Sequence, residues 1–170
     1  MRKILIVVDM QNDFIDGALG TAEAVSIVEN VKKRIEGFDG EAYFTRDTHF
    51  ENYMSTEEGK HLPVPHCIKD TEGWQIHPEL EALRTTPAID KLTFGSKELI
   101  ALLADKQGIE SITLCGLCTD ICVISNALLI KAYYPEIPLF VVANACAGVT
   151  PESHQNALDA MKMCQIIIKE

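Results

Sequence analysis

The sequence predicts a three-layer α/β/α fold, a doubly wound, Rossmann-like and mainly parallel sheet of about six strands with helices on both faces. Uninterrupted apolar runs are typical of strands that are buried on both faces, and amphipathic helical patterns separate these runs. The length of 170 residues, with 47% hydrophobic and 24% charged residues, suits one core. We therefore expect a single domain over residues 1–170.

The strands are predicted from the apolar runs. The first run extends from Ile4 to Val8 and reads Ile-Leu-Ile-Val-Val. Further strands are expected at residues 42–45, 88–90, 109–115, 137–143 and 165–168. Because strands alternate with helices, crossover connections should pair the strands in parallel.

The helices are predicted from apolar residues that recur at helical spacing. This pattern marks residues 21–38, 97–107 and 120–133, and a further helix should begin at Thr150 with Pro151 in its first turn. Ser96 and Thr119 are candidate amino-terminal caps of the second and third helices, as Thr150 is of the fourth.

Charge and hydropathy exclude several classes of protein. A formal net charge of -10 at pH 7 argues against binding to nucleic acid or to an anionic membrane, because both require clustered cations. The run from Ile4 to Val8 ends at Asp9, so it is too short for a signal peptide or a membrane span. We expect a cytoplasmic protein whose six cysteines are free thiols.

Reactive side chains follow three of the predicted strands. Asp9 comes directly after the first strand, Lys91 follows the strand at 88–90, and Cys122 lies just beyond the strand at 109–115. Because open parallel sheets bind ligands at the carboxyl ends of their strands, these side chains should meet at one edge.

These three residues predict nucleophilic catalysis by a thiol. The start of a helix and the Lys91 ammonium would help Cys122 to ionise. Asp9 could accept the thiol proton and return it to a leaving amine, while the turn 116–119 offers backbone N–H groups to an oxyanion. The alternatives are a turn cap for Asp9, a surface cation for Lys91 and a buried apolar role for Cys122.

A second group of polar residues lies in residues 46–78, which show no periodic pattern and hold four of the five histidines. Asp47 and His49 can project to one side of a strand end, and His66 follows later. One carboxylate and two imidazoles suit a divalent metal, zinc first, with iron and manganese as alternatives. Glu58 is a candidate further ligand, and the alternative is a polar loop start without a metal. The remaining histidines are expected on the surface or in loops: His61, His77 and His154.

Four separated motifs resemble the isochorismatase-like cysteine hydrolases, and within them the nicotinamidases. They are Asp9-Met10-Gln11-Asn12-Asp13-Phe14, Thr45-Arg46-Asp47-Thr48-His49, Pro65-His66-Cys67-Ile68 with Thr71-Glu72-Gly73, and Gly116-Leu117-Cys118-Thr119-Asp120-Ile121-Cys122-Val123. Lys91 stands where the family keeps its lysine. The resemblance spans nearly the whole chain.

The resemblance implies a metal-dependent cysteine amidohydrolase that converts nicotinamide to nicotinate and ammonia through a thioester. Its catalytic triad would be Asp9, Lys91 and Cys122. A non-proline cis peptide at Leu117-Cys118 would aim the backbone amides of Cys118 and Cys122 at the oxyanion.

The resemblance also implies how the ring is bound. Asp47, His49 and His66 would hold the metal, the metal would bind the pyridine nitrogen, and Glu58 is the nearest match to a glutamate ligand of some relatives. The side chains expected to contact substrate are Phe14, Phe94 and Leu117.

Two departures from the nicotinamidase pattern affect this ring-binding region. Thr48 and the run 50–52 replace tryptophan and proline-rich sequence, and Cys118 replaces a frequent alanine.

Three alternative functions stay open. The chain could hydrolyse another small amide, ureide or carbamoyl compound, act as a redox dithiol through Cys115 and Cys118, or be a non-enzymatic binding module. The expected partners are a small-molecule amide and further copies of the chain in a homo-oligomer, with no nucleic acid and no membrane.

Overall fold

The computed structural model describes residues 1–170 and contains one sheet of six strands, all paired in parallel. The strands are β1 (Arg2–Val8), β2 (Glu41–Asp47), β3 (Ile89–Lys91), β4 (Ile109–Leu117), β5 (Leu139–Ala147) and β6 (Ile167–Lys169). Their order is β3-β2-β1-β4-β5-β6, which confirms the doubly wound α/β prediction. The strand order reverses between β1 and β4, and such switch points form ligand sites.

Seven helices accompany the sheet. They are α1 (Asn12–Ile15), α2 (Ala22–Glu36), α3 (Glu57–His61), α4 (Pro78–Glu81), α5 (Lys97–Ala104), α6 (Ile124–Tyr133) and α7 (Pro151–Met163). Because crossovers between parallel strands are right-handed, α2 covers one face and α5, α6 and α7 cover the other. None of these helices has the length and apolar character needed to span a membrane.

Two of the three predicted helix caps are confirmed. The hydroxyls of Ser96 and Thr150 each accept a hydrogen bond from the backbone N–H three residues ahead. The third prediction is wrong, because a π-helical turn precedes α6 over residues 119–123 and its amino-terminal cap is Cys118. The Thr119 hydroxyl instead lies 2.7 Å from Nδ1 of His154, so it is not available to cap the turn.

The segment without periodic pattern, residues 46–78, packs against the carboxyl ends of β1 and β2. It holds a 3₁₀ turn (Tyr53–Ser55) and α3, and isolated bridges pair Gln11 with Ile76 and His49 with Ile68. The Gln11 amide also donates to the backbone oxygen of Asp47 and accepts from its N–H, at 2.9 and 2.7 Å. These contacts fix the segment where β2 ends.

Gly116 in β4 lets the strand approach β1 just before the π-helical turn. Its φ is 116°, and an added Cβ would lie 2.2 Å from the Val8 carbonyl oxygen. We expect Gly116→Ala to lower the free energy of unfolding by about 2 to 4 kcal/mol, through backbone strain and overpacking. Urea denaturation would measure this loss.

Gly108→Ala is the matched control for that substitution. Gly108 also has a positive φ, 68°, but no atom lies within 4 Å of its added Cβ. Strain alone should cost about 1 to 2 kcal/mol there. Equal losses at the two positions would contradict the role assigned to the approach of β4 and β1.

Candidate active site

The candidate site lies at the carboxyl ends of four adjacent strands, β3, β2, β1 and β4. Asp9 follows β1, Asp47 ends β2, Lys91 ends β3, and Cys122 lies in the π-helical turn after β4. All four side chains are buried. The structure therefore brings together the three residues that the sequence assigns to catalysis and one of the predicted metal ligands.

Lys91 is the centre of this group. Its Nζ lies 2.8 Å from Oδ2 of Asp9, 3.4 Å from Sγ of Cys122 and 3.3 Å from Oδ1 of Asp47. Burial by itself lowers the pKa of Lys91, but the carboxylates of Asp9 and Asp47 outweigh that effect and help to raise the pKa well above its ordinary value. The residue is a fully buried ammonium, so the alternative of a surface cation is excluded.

Asp9 is placed to exchange a proton. Its Oδ1 accepts a hydrogen bond of 2.7 Å from the Thr45 hydroxyl, whereas its buried Oδ2 receives no well-aligned hydrogen bond, even with Lys91 Nζ nearby. Burial raises the pKa of Asp9, and Lys91 offsets only part of this effect. A carboxylate with a raised pKa is a stronger base. Sequence reasoning assigned no role to Thr45, although the residue begins the motif Thr45-Arg46-Asp47-Thr48-His49.

The surroundings of Cys122 act on its pKa in opposite directions. Burial, followed by the charge of Asp9, raises the pKa of the Cys122 thiol well above its ordinary value, and Lys91 only partly opposes this. Desolvation therefore opposes the predicted ionisation by a helix start and a lysine. The ionisation of Cys122 stays a prediction, and a base beside the thiol, such as Asp9, would favour it.

The turn before Cys122 carries the predicted oxyanion donors. The peptide between Leu117 and Cys118 is cis, as the resemblance implied. The Cys118 N–H makes no backbone hydrogen bond, while its carbonyl oxygen accepts from the N–H groups of Ile121 and Val123. The Cys118 amide is therefore available to a ligand, and the oxyanion role of Cys118 and Cys122 stays a prediction.

Four potential metal ligands meet beside this group: Asp47, His49, Glu58 and His66. Their ligand atoms all lie within 4.8 Å of one another. Nε2 of His49 is 2.9 Å from Oδ2 of Asp47, and Oε1 of Glu58 is 3.5 Å from Nε2 of His49 and 3.6 Å from Nε2 of His66. Glu58, the additional candidate from the sequence, is thus brought to the other three by α3.

The donor set fits a divalent metal. Nδ1 of His66 is 2.8 Å from the Val64 carbonyl oxygen, so it carries the proton and leaves Nε2 to face the other ligands. Burial raises the pKa of Glu58, a cost that a bound cation would offset. Two carboxylates and two imidazoles are hard-to-borderline ligands of the kind that zinc, iron and manganese accept.

A cavity of about 770 Å³ opens onto both groups. Phe14 and Phe94 lie on its wall, as predicted, together with Cys118 and Cys122. Leu117 does not line it, because its side chain is buried in the core. The lining of the cavity therefore gives no support to a substrate contact by the Leu117 side chain. Cavity residues that sequence reasoning missed include Leu19, His61, Leu62, Leu92, Ile121 and Val149.

The cysteines do not support a redox dithiol. All six are free, as expected. Cys115 is fully buried, and burial raises the pKa of Cys115 and of Cys118 to about 12. Redox-active thiols need a lowered pKa and access to their partner.

A family model and two related proteins each match nearly the whole length of the chain. The isochorismatase domain model matches residues 3–169. The Bacillus subtilis protein named uncharacterized isochorismatase family protein PncA is 30% identical, over 93% of each chain. The nicotinamidase of Escherichia coli is 28% identical, over 95% of this chain and 90% of its own.

Solved structures agree with these relatives. The nicotinamidase/pyrazinamidase PncA of Bacillus subtilis has a TM-score of 0.85 and 29% identity, with all of both chains covered. The pyrazinamidase of Pyrococcus horikoshii, in complex with zinc, has a TM-score of 0.82 and 29% identity, over 100% of this chain and 99% of its own. The predicted enzyme class, a hydrolase of amide bonds, is confirmed. The chain belongs to the isochorismatase family.

Proposed function

We propose that the chain is a metal-dependent cysteine amidohydrolase that converts nicotinamide to nicotinate and ammonia. The observation that carries the proposal is the position of Asp47 between two groups of residues. Its Oδ1 lies 3.3 Å from Lys91 Nζ, and its Oδ2 lies 2.9 Å from His49 Nε2. One carboxylate thus joins the predicted catalytic triad to the predicted metal ligands at a single cavity.

The first half of the proposed reaction forms a thioester. The Cys122 sulfur attacks the carboxamide carbon while its proton passes to Asp9, whose raised pKa suits this transfer. The backbone amides of Cys118 and Cys122 bind the oxyanion. Asp9 then protonates the departing amino group, which leaves as ammonia, and Lys91 balances the negative charge of the buried group.

The second half releases the acid. Asp9, again a carboxylate, removes a proton from water, and the resulting nucleophile attacks the thioester. The amides bind the second oxyanion, and collapse of the intermediate returns the proton to the Cys122 sulfur. The nicotinic acid gives up its proton to solvent and leaves as nicotinate, and the free protein recovers its thiol.

The metal-ligand cluster, Asp47, His49, Glu58 and His66, orients the ring in this proposal. A bound divalent metal would supply a Lewis acid for the pyridine nitrogen, and the zinc complex of the related pyrazinamidase supports zinc. Phe14, whose ring centroid is 5.4 Å from that of His66, and Phe94 offer apolar walls to the ring.

A second candidate keeps the chemistry and changes the substrate. A cavity of about 770 Å³ is in the range of pockets that hold drug-sized ligands. This volume leaves room for an amide or carbamoyl compound larger than nicotinamide. An assay of ammonia release tests both candidate substrates. It uses protein loaded with zinc and compares nicotinamide with a panel of larger carboxamides and carbamoyl compounds. Turnover confined to the larger compounds would overturn the nicotinamide assignment and keep the reaction class.

Metal removal should stop turnover of nicotinamide. We expect a chelator to abolish ammonia release and added zinc to restore it, because the ring would lose its anchor. His66→Ala should lower the bound zinc measured by elemental analysis, whereas His61→Ala, a matched change at an exposed histidine of the same cavity, should retain it. Full activity of metal-free protein would contradict metal dependence.

A further inference from the structure

Asn126 is a fully buried polar residue on α6, one helical turn after Cys122. Its neighbours Val123, Ala127 and Ile130 belong to the apolar core. A buried amide is costly unless all its hydrogen-bonding groups are used. The partners of Asn126 therefore indicate why an amide stands there.

The amide of Asn126 is satisfied on both sides. Its Nδ2 donates to the carbonyl oxygen of Cys122 at 2.8 Å and to that of Phe94 at 3.1 Å. Its Oδ1 accepts from the backbone N–H of Ser96 at 2.9 Å. Two carbonyl partners and one N–H partner allow only this orientation of the amide.

These three bonds join two separate pieces of the cavity wall. The loop 92–95 connects Lys91 to α5 and carries Phe94, while the π-helical turn carries Cys122. The start of this loop is held by Lys91, whose Nζ donates to the Thr93 carbonyl oxygen at 3.1 Å. Its far end is held by Asn126.

We infer that Asn126 is a positioning residue that fixes the distance between the sulfur of Cys122 and the Phe94 wall. This inference rests on the proposed function, in which Phe94 packs against the ring of the substrate and Cys122 attacks its carboxamide carbon. Asn126 itself touches neither substrate nor reacting atoms. Its hydrogen bonds position the backbone of Phe94 and Cys122, which do.

Two substitutions separate the bonds of Asn126. Asn126→Leu keeps the approximate shape and removes all three hydrogen bonds. Asn126→Ser removes the links to Phe94 and Ser96, while a helical serine can still donate to the carbonyl four residues earlier, here that of Cys122. We expect kcat/KM to fall by about 10²-fold in the leucine variant, as for a misplaced reacting group. The serine variant should show a raised KM and a kcat closer to wild type.

Ile130→Val is the matched control, since Ile130 is buried one turn further along α6 and does not line the cavity. It should lower the melting temperature while leaving kcat and KM at wild-type values. A purely packing role for Asn126 would make the Asn126 variants behave like this control.

The rate at which iodoacetamide alkylates Cys122, followed by peptide mass spectrometry, gives a readout that needs no substrate. We expect it to change severalfold in Asn126→Leu and to stay at the wild-type rate in Ile130→Val. Failure of the wild type to cleave nicotinamide would remove the proposed substrate and leave this readout intact. Wild-type kcat, KM and alkylation rate in both Asn126 variants would overturn the positioning role. If the leucine variant does not fold, the serine variant decides.

Discussion

Cys122→Ala should lower kcat for amide hydrolysis by about 10⁴-fold or more, because the variant lacks the sulfur that lies beside Lys91 and serves as nucleophile in the proposed reaction. Substrate binding should survive, since the metal-ligand cluster and the aromatic walls are unchanged. Ammonia release under saturating substrate, together with calorimetric titration of the variant, measures both quantities. In wild type, mass spectrometry of a quenched reaction should detect the acyl group on Cys122.

Cys115→Ala is the matched control for this variant. Cys115 is also a buried thiol, but it lies within β4 and does not line the cavity. Its removal should leave kcat within a small factor of wild type. If the cysteine 115 variant were inactive and the cysteine 122 variant active, the nucleophile assignment would be wrong and the redox alternative would return.

Lys91→Met should damage both stability and activity. The variant leaves Asp9 and Asp47 buried without their shared cation, and breaking such a buried charge pair costs about 3 to 5 kcal/mol. Loss of the charge that balances the reacting groups should lower kcat on the order of 10³-fold. Urea denaturation and steady-state kinetics measure the two effects.

The stability loss in Lys91→Met should depend on pH in a defined direction. Burial already raises the pKa of Asp9 above its ordinary value of 3.8, and removal of Lys91 raises it further. A carboxyl group with a raised folded-state pKa destabilises the fold when pH is above that pKa, and the penalty fades as pH falls through it toward 3.8. The deficit should therefore be larger at high pH than in mild acid.

Lys106→Met provides the comparison for the lysine variant. The Nζ of Lys106 lies 3.0 Å from Oε2 of Glu41 in a partly exposed ion pair, which should contribute below about 1 kcal/mol. If Lys106→Met lowered the free energy of unfolding as much as Lys91→Met, burial of the charged cluster would not explain the loss of stability in the Lys91 variant.

The sheet and the meeting of the reactive residues could be predicted because local patterns determine them. A run such as Ile4 to Val8 is buried on both faces, and Ser96 and Thr150 mark helix starts by hydrogen bonds within their own segments. Once the strands are parallel, their carboxyl ends share an edge, so Asp9 and Lys91 are expected at the same edge of the sheet.

The pKa shifts in the site, and the hydrogen bonds that position its residues, could not be predicted in the same way. The pKa of Cys122 depends on how completely distant segments exclude water from it, which has no local pattern. Threonine is a common helix cap, but the hydroxyl of Thr119 contacts His154 of α7 instead. The role of Asn126 depends on carbonyl groups in other segments, and nothing in a helical pattern marks a buried amide.

Asp47 couples the charge of Lys91 to the metal-ligand cluster. Because one carboxylate contacts Lys91 through one oxygen and His49 through the other, a metal that draws negative charge from Asp47 leaves less of it for the lysine. Such coupling is reciprocal, so a change in lysine charge alters metal affinity by the same free energy. Loss of a metal bound at this site would therefore be expected to change the charge balance around Lys91 as well.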